Sequence, residues 1–278
     1  MGKRRSSWGS QKYSSKKIRF EDIGITDDVM FGSVFSNQED CKEFLQRILR
    51  IKITKLTIVE EQKSIRIKRK GKGIRIDVYV RDDKGNAYDI EMQLIDTKEL
   101  DLRSRYYHSE MDSYQIRRGQ KYKNLKQSIV IFVCAFDLFG ENRSIYTFET
   151  ICRENTNIVL QDKRRTYFIN IYGNRNGIEK DTVNLLDYFK TGEPTDDYTR
   201  KLQEKVEKIR CDDEWRENYM TIEMKMDQRF EAGMQVGMQA GKHEERIKVV
   251  KLMLANSYSE AECKKLGFTQ EEIQEGKK

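Results

Sequence analysis

Between Gly73 and Leu94 apolar and polar positions alternate. Ile74, Ile76, Val78 and Val80 are separated by Arg75, Asp77 and Tyr79, and Ala87-Tyr-Asp-Ile-Glu-Met-Gln-Leu94 follows a polar segment. A period of two is the strand signature, and Arg81-Asp-Asp-Lys-Gly-Asn86 is turn chemistry, so the pattern predicts an antiparallel hairpin. Weaker alternation at 56–60 and 63–68 predicts strands before it, and 145–151 and 165–171 predict two more after it. Ser128–Phe136 is the most apolar run and predicts a central strand covered on both faces. Helical spacing governs 28–35, 38–50, 101–118 and 183–189, with Asp27 or Asp28 and then Asn37 placed as N-caps.

That order of elements predicts an α/β fold, a mixed central β-sheet flanked by helices, with an α-helical C-terminal extension. Three segments are expected: an arm over 1–22, an α/β domain over 23–195 and a helical region over 196–278. The boundary is set at Pro194, the one proline in the chain. Within the helical region Gly233, Gly237 and Gly241 recur every four residues, although each glycine costs ~1 kcal/mol against alanine inside a helix. Two readings stand side by side: a ridge for close helix–helix approach, hence a homo-oligomer, or a linker helix. Ser259–Glu262 and Thr269–Glu272 are capping-box patterns. They predict a terminal helical hairpin with a small core from Leu252, Leu254, Tyr258, Leu266, Phe268 and Ile273.

Charge changes the picture next. Lys and Arg number 53 against 46 Asp and Glu, a net charge of +7, which favours a polyanionic partner. Residues 1–19 hold seven of those cations among serines and glycines, an arm suited to phosphate contact or to solvent. Five dispersed cysteines without a Cys-x-x-Cys argue against structural zinc, and two histidines leave little for imidazole catalysis. The chain has no nucleotide-cradling Gly-x-x-x-x-Gly-Lys-Ser/Thr loop. It also lacks the ~20-residue apolar run that a membrane span needs and an apolar signal core, so no membrane partner and a cytoplasmic location are expected.

The chemistry concentrates on the hairpin. Glu91 and Gln93 share one strand face, and Asp77 reaches that face from the neighbouring strand. Converging carboxylates make an oxygen-rich site for a hard cation such as Mg²⁺. The set Asp77-x13-Glu91-x-Gln93 has company elsewhere: Thr26-Asp-Asp-Val-Met-Phe31 with Phe35, Arg103-x3-Tyr107, Gly119-x2-Tyr122, and Val130-Ile-Phe132 with Phe136. Together they resemble the PD-(D/E)XK nuclease superfamily, and within it the recombination-promoting nuclease and transposase family, over residues 24 to 140.

The resemblance implies a restriction-endonuclease-like core and a metal-dependent DNA endonuclease linked to recombination or mobile elements. It implies Asp77, Glu91 and Gln93 as catalytic residues, with Mg²⁺ or Mn²⁺ held by Asp77, Glu91 and the Met92 backbone carbonyl. Gln93 stands where the superfamily usually has lysine; its amide orients water but brings no positive charge. Lys98, Arg103 and Arg105 are candidates for that charge. Asp28, either a helix cap or a third acidic group, joins Arg103, Tyr107 and Gln115 as accessory positions. The alternative is a catalytically weak DNA-binding or assembly module, whose function lies in the arm and the helical tail.

Overall fold

The computed structural model of the chain describes residues 19–58, 77–116 and 118–278. The expected strand at 63–68, the basic arm before residue 19 and the hairpin residues 74–76 lie outside the described residues. The chain divides into two compact units, Met1–Asp213 and Glu214–Lys278.

In the first unit the strands are β1 (Leu56–Ile58), β2 (Val78–Asp82), β3 (Ala87–Gln93), β4 (Ser128–Cys134), β5 (Ile145–Phe148) and β6 (Arg164–Asn170). They form a mixed sheet in the order β1-β2-β3-β4-β6-β5. β3, β4 and β6 run parallel, and β1, β2 and β5 are antiparallel to their neighbours. β4, with seven buried residues, is the covered central strand its apolar run predicts. The parallel β3–β4 pair needs a crossover, and α3 (Leu100–Gln115) supplies it.

Strand alternation divides the core into two layers. Tyr79, Ala87, Val130, Phe132, Cys134 and Phe168 pack with Leu100, Tyr107 and Met111 of α3. Tyr88, Ile90 and Met92 are buried with the opposite orientation along β3. The remaining helices of this unit are α1 (Asp28–Phe35), α2 (Gln38–Leu49), α4 (Lys180–Thr191) and α5 (Asp197–Arg210). Phe31, Phe35, Phe44 and Phe189 join α1, α2 and α4, with ring centroids 4.5 to 6.3 Å apart. The cap of α1 is Asp27, which accepts from the Met30 N–H at 3.0 Å. Asn37 caps α2 as expected.

The first unit continues past Pro194. Asp196 caps α5 and accepts a 2.6 Å bond from Arg47, whose guanidinium lies 4.5 Å from the Tyr198 ring centre. Tyr198, Leu202 and Val206 are buried, and the Tyr198 hydroxyl donates to the Asp40 carbonyl. Pro194 therefore marks the turn between α4 and α5, where Gly192 ends α4 at φ +77°. The apolar face of α5 finds its cover in this unit, so the division falls a helix later than the proline suggests.

In the second unit α6 (Asp213–Ala255) is one helix of 43 residues, followed by α7 (Glu260–Lys265) and α8 (Gln270–Gly276). Both capping boxes form. The terminal core is Val250, Cys263 and Ile273 with Met253, Leu254 and Phe268 packed against it. Leu252, Tyr258 and Leu266, expected in that core, are exposed instead. The hairpin closes so tightly that a side chain at Gly276 would meet Val250 Cγ1 at 2.7 Å.

Candidate active site

The β2–β3 hairpin sets the geometry. Its turn is fixed by Asp82, whose carboxylate accepts from the N–H groups of Lys84 and Asn86 and from the Tyr88 hydroxyl. Gly85 supplies the left-handed residue at φ +84°. The register pairs Val78 with Ile90 and Tyr79 with Asp89, so Asp77, immediately before β2, falls opposite Glu91. Two bonds lock that placement. The Asp77 N–H donates to Glu91 Oε1 at 3.3 Å, and the Met92 N–H donates to Asp77 Oδ2 at 3.0 Å.

Asp89, Glu91 and Gln93 alternate along β3 on the face that α3 covers. Asp89 and Glu91 are buried, at 0% and 2% exposure. Arg103, in the first turns of α3, reaches down to Glu91 and Gln93. Its Nη2 donates to Glu91 Oε2 at 2.9 Å and its Nη1 to Gln93 Oε1 at 2.9 Å. The Tyr107 hydroxyl, one helical turn on, accepts from Nη2 at 2.7 Å, so the i, i+4 pair stiffens the guanidinium. Arg103 also lies 5.3 and 5.6 Å from the ring centres of Tyr107 and Phe132.

Negative charge exceeds positive here. Burial, followed by the charges of Asp89 and Asp77, holds Glu91 well above the usual carboxylate range despite the opposing pull of Arg103. Burial and Asp77 do the same to Asp89. Both Asp89 oxygens are buried and lack a hydrogen-bond donor among the described residues. A buried carboxylate without a donor is costly, so the cluster is under-neutralised. Its donor set of carboxylate oxygens suits Mg²⁺ or Mn²⁺, and in that respect the residues fit such an ion. Among the described residues no three acidic, cysteine or histidine side chains stand in a coordinating arrangement. The guanidinium of Arg103 lies on Glu91 instead.

The hairpin and α3 bring together Asp77, Glu91, Gln93, Arg103 and Tyr107. Met92 joins through its N–H, while its side chain is buried on the other face. Asp28 accepts from the Val29 N–H at 2.8 Å, at the start of α1. Gln115 is not brought in. It lies twelve residues beyond Arg103, about 18 Å along the helix, where its Oε1 accepts from the Lys126 N–H. Lys98 pairs with Asp96 and is largely exposed; Arg105 is exposed on α3. Asp89 is the residue that sequence reasoning passed over. The strand period that aligned Glu91 with Gln93 also aligned it with Asp89 two residues earlier.

A family model described as PD-(D/E)XK nuclease family transposase matches residues 26–232. No curated protein and no solved structure matches the chain.

Proposed function

The chain belongs to the PD-(D/E)XK nuclease family transposases, and we propose that it works as a divalent-metal-dependent DNA endonuclease acting in recombination or mobile-element events. The observation that carries this reading is the locked opposition of Asp77 and Glu91 beneath α3, beside Gln93 and Arg103. Asp77 and Glu91 would hold Mg²⁺ or Mn²⁺, with the Met92 peptide at their side. When bound, such an ion supplies a more acidic water and neutralises charge on the scissile phosphate. The chain's own residues do the positioning. The Glu91 carboxylate on β3 and the Asp77 carboxylate just before β2 fix the site, and the Gln93 amide hydrogen-bonds and orients the attacking water. Burial under α3 keeps Glu91 and Asp89 away from bulk solvent.

DNA as partner is supported by charge placement. From Ser113 to Phe136 the sequence holds no acidic residue. Within it Arg118, Lys121, Lys123 and Lys126 form no ion pair among the described residues, and Tyr122 is 84% exposed between two lysines. Cations with an interleaved aromatic suit a phosphate backbone and an unstacked base. A second copy of the chain is the further partner of this reading. On α6 Met234 and Met238 are exposed beside Gly233, Gly237 and Gly241, which have open space around them. A second copy packed on this face would approach closely at the glycines and cover the exposed methionines. Among the described residues no helix is long and apolar enough to cross a membrane. A cytoplasmic location goes with the reading.

Incubation of supercoiled plasmid with wild type and Asp77→Ala in Mg²⁺, Mn²⁺ or EDTA tests the proposal. Metal-dependent nicking by wild type, absent from the variant and in EDTA, is expected. No nicking by wild type, with DNA retained equally in EDTA, would instead establish the binding-module alternative.

A further inference from the structure

Arg103 carries an inference that rests on the nuclease reading and deepens it. Its guanidinium spans three partners: Glu91 Oε2, Gln93 Oε1 and the Tyr107 hydroxyl. These bonds are of two kinds. The one to Glu91 is an ion pair with a carboxylate at 2% side-chain exposure. The ones to Gln93 and Tyr107 are bonds to neutral groups, and they leave the positive charge unspent. Glu91 is thus the partner that a divalent cation would also claim, since a carboxylate oxygen in so confined a site serves one strong cation best. Gln93 occupies the strand position that would otherwise bear a positive charge. Arg103 is fastened to that same residue, with 27% of its side chain exposed to solvent.

We propose that Arg103 is a catalytic cation with two positions. In the metal-free site it neutralises Glu91. Were a divalent ion to take Glu91, Arg103 would be released from it, stay anchored to Gln93 and Tyr107, and turn the freed Nη2–H to the scissile phosphate. The chemistry of the side chain suits both tasks. A guanidinium offers five N–H donors in a planar fork and binds phosphate in two-pronged fashion, whereas a lysine ammonium is a point charge. Tyr107 and Gln93 set the angle of the fork, and the rings of Tyr107 and Phe132 beneath it restrict its travel. The positive charge missing from Gln93 is therefore supplied from the helix rather than from the strand.

A purely structural arginine would behave differently. It would become dispensable once the metal neutralised Glu91, so its loss would not slow cleavage at saturating metal. The test measures Mn²⁺ binding to the full chain by calorimetry without DNA, and plasmid nicking at saturating Mn²⁺, for wild type, Asp77→Ala, Arg103→Met and Arg103→Lys. Arg103→Met is expected to bind Mn²⁺ about tenfold more tightly, through loss of a competing charge, while nicking about 100-fold more slowly. Arg103→Lys keeps the charge and so guards against failure of the methionine variant to fold. It is expected to bind Mn²⁺ within about threefold of wild type and to nick about tenfold more slowly. Mn²⁺ affinity unchanged or lower in a folded Arg103→Met, or nicking at the wild-type rate in either variant, overturns the two-position role. Failure of wild type to bind Mn²⁺, or binding that survives Asp77→Ala, overturns the nuclease reading itself.

Discussion

His108 shows how a side chain with no part in the proposed chemistry still shapes the pH behaviour of the molecule. It lies on the buried side of α3, with Nδ1 2.5 Å from Ser128 Oγ on β4 and Nε2 2.9 Å from Thr166 Oγ1 on β6. One imidazole therefore ties the crossover helix to two parallel strands. Burial, reinforced by nearby Arg164 and opposed by Asp162, pushes its pKa down to about 4 from 6.5. Between those values the unfolded chain binds the proton and the folded chain does not, so stability is lost as pH falls from 6.5 towards 4. The full difference is worth about 3 kcal/mol. Urea unfolding across that range is expected to show the decline, and His108→Gln should flatten it; an unchanged slope in the variant would contradict the assignment. The sequence announced Asp77, Glu91 and Gln93 because their residue types are unusual inside apolar strands. Neither the bonds of His108 nor the isolation of Asp89 was legible, since both depend on what α3 lays over the sheet.

At the scale of elements, the hairpin was the most legible part, because period two and turn residues agreed over its described residues. Its register, and with it the opposition of Asp77 and Glu91, follows from the Asp82 turn. The crossover helix was legible as a helix but not as a lid. Its spacing gives one apolar face without saying that Arg103 will turn inward and Arg105 outward. α5 illustrates the same limit, since a proline signals a turn and says nothing about which unit buries the next helix. The segment after α3 carries a prediction of its own. Lys121, Lys123 and Lys126 flank Tyr122 on an exposed stretch free of acidic residues. Changing the three lysines to alanine should weaken DNA retention in EDTA at every sequence tested. The slope of log affinity against log salt should become shallower by about 0.9 for each phosphate that the variant no longer neutralises. Fluorescence anisotropy over a salt series measures it, and an unaltered slope would remove this stretch from the DNA-binding surface.

The whole molecule pairs an α/β unit that bears the acidic site with a helical unit whose long helix buries Tyr219 and Val250 alone among its described residues. The helical C-terminal extension was legible in outline from its helical spacing. Which apolar residues would form the terminal core was not, because a single helix register leaves Val250 and Leu252 equally plausible until α7 and α8 fold over one of them. If α6 associates with a second copy, sedimentation should find a mass above the 33.1 kDa of one chain. Met234→Glu with Met238→Glu should return it to a monomer; a monomeric wild type would dismiss the partner. The central claim, however, is the divalent ion between Asp77 and Glu91. A crystal soaked in Mn²⁺ tests it most directly through the anomalous signal of the metal. The account predicts a peak within coordinating distance of a carboxylate oxygen of each residue, with the Arg103 guanidinium withdrawn from Glu91. A site that stays without a peak at saturating Mn²⁺, with Arg103 still paired to Glu91, would contradict it.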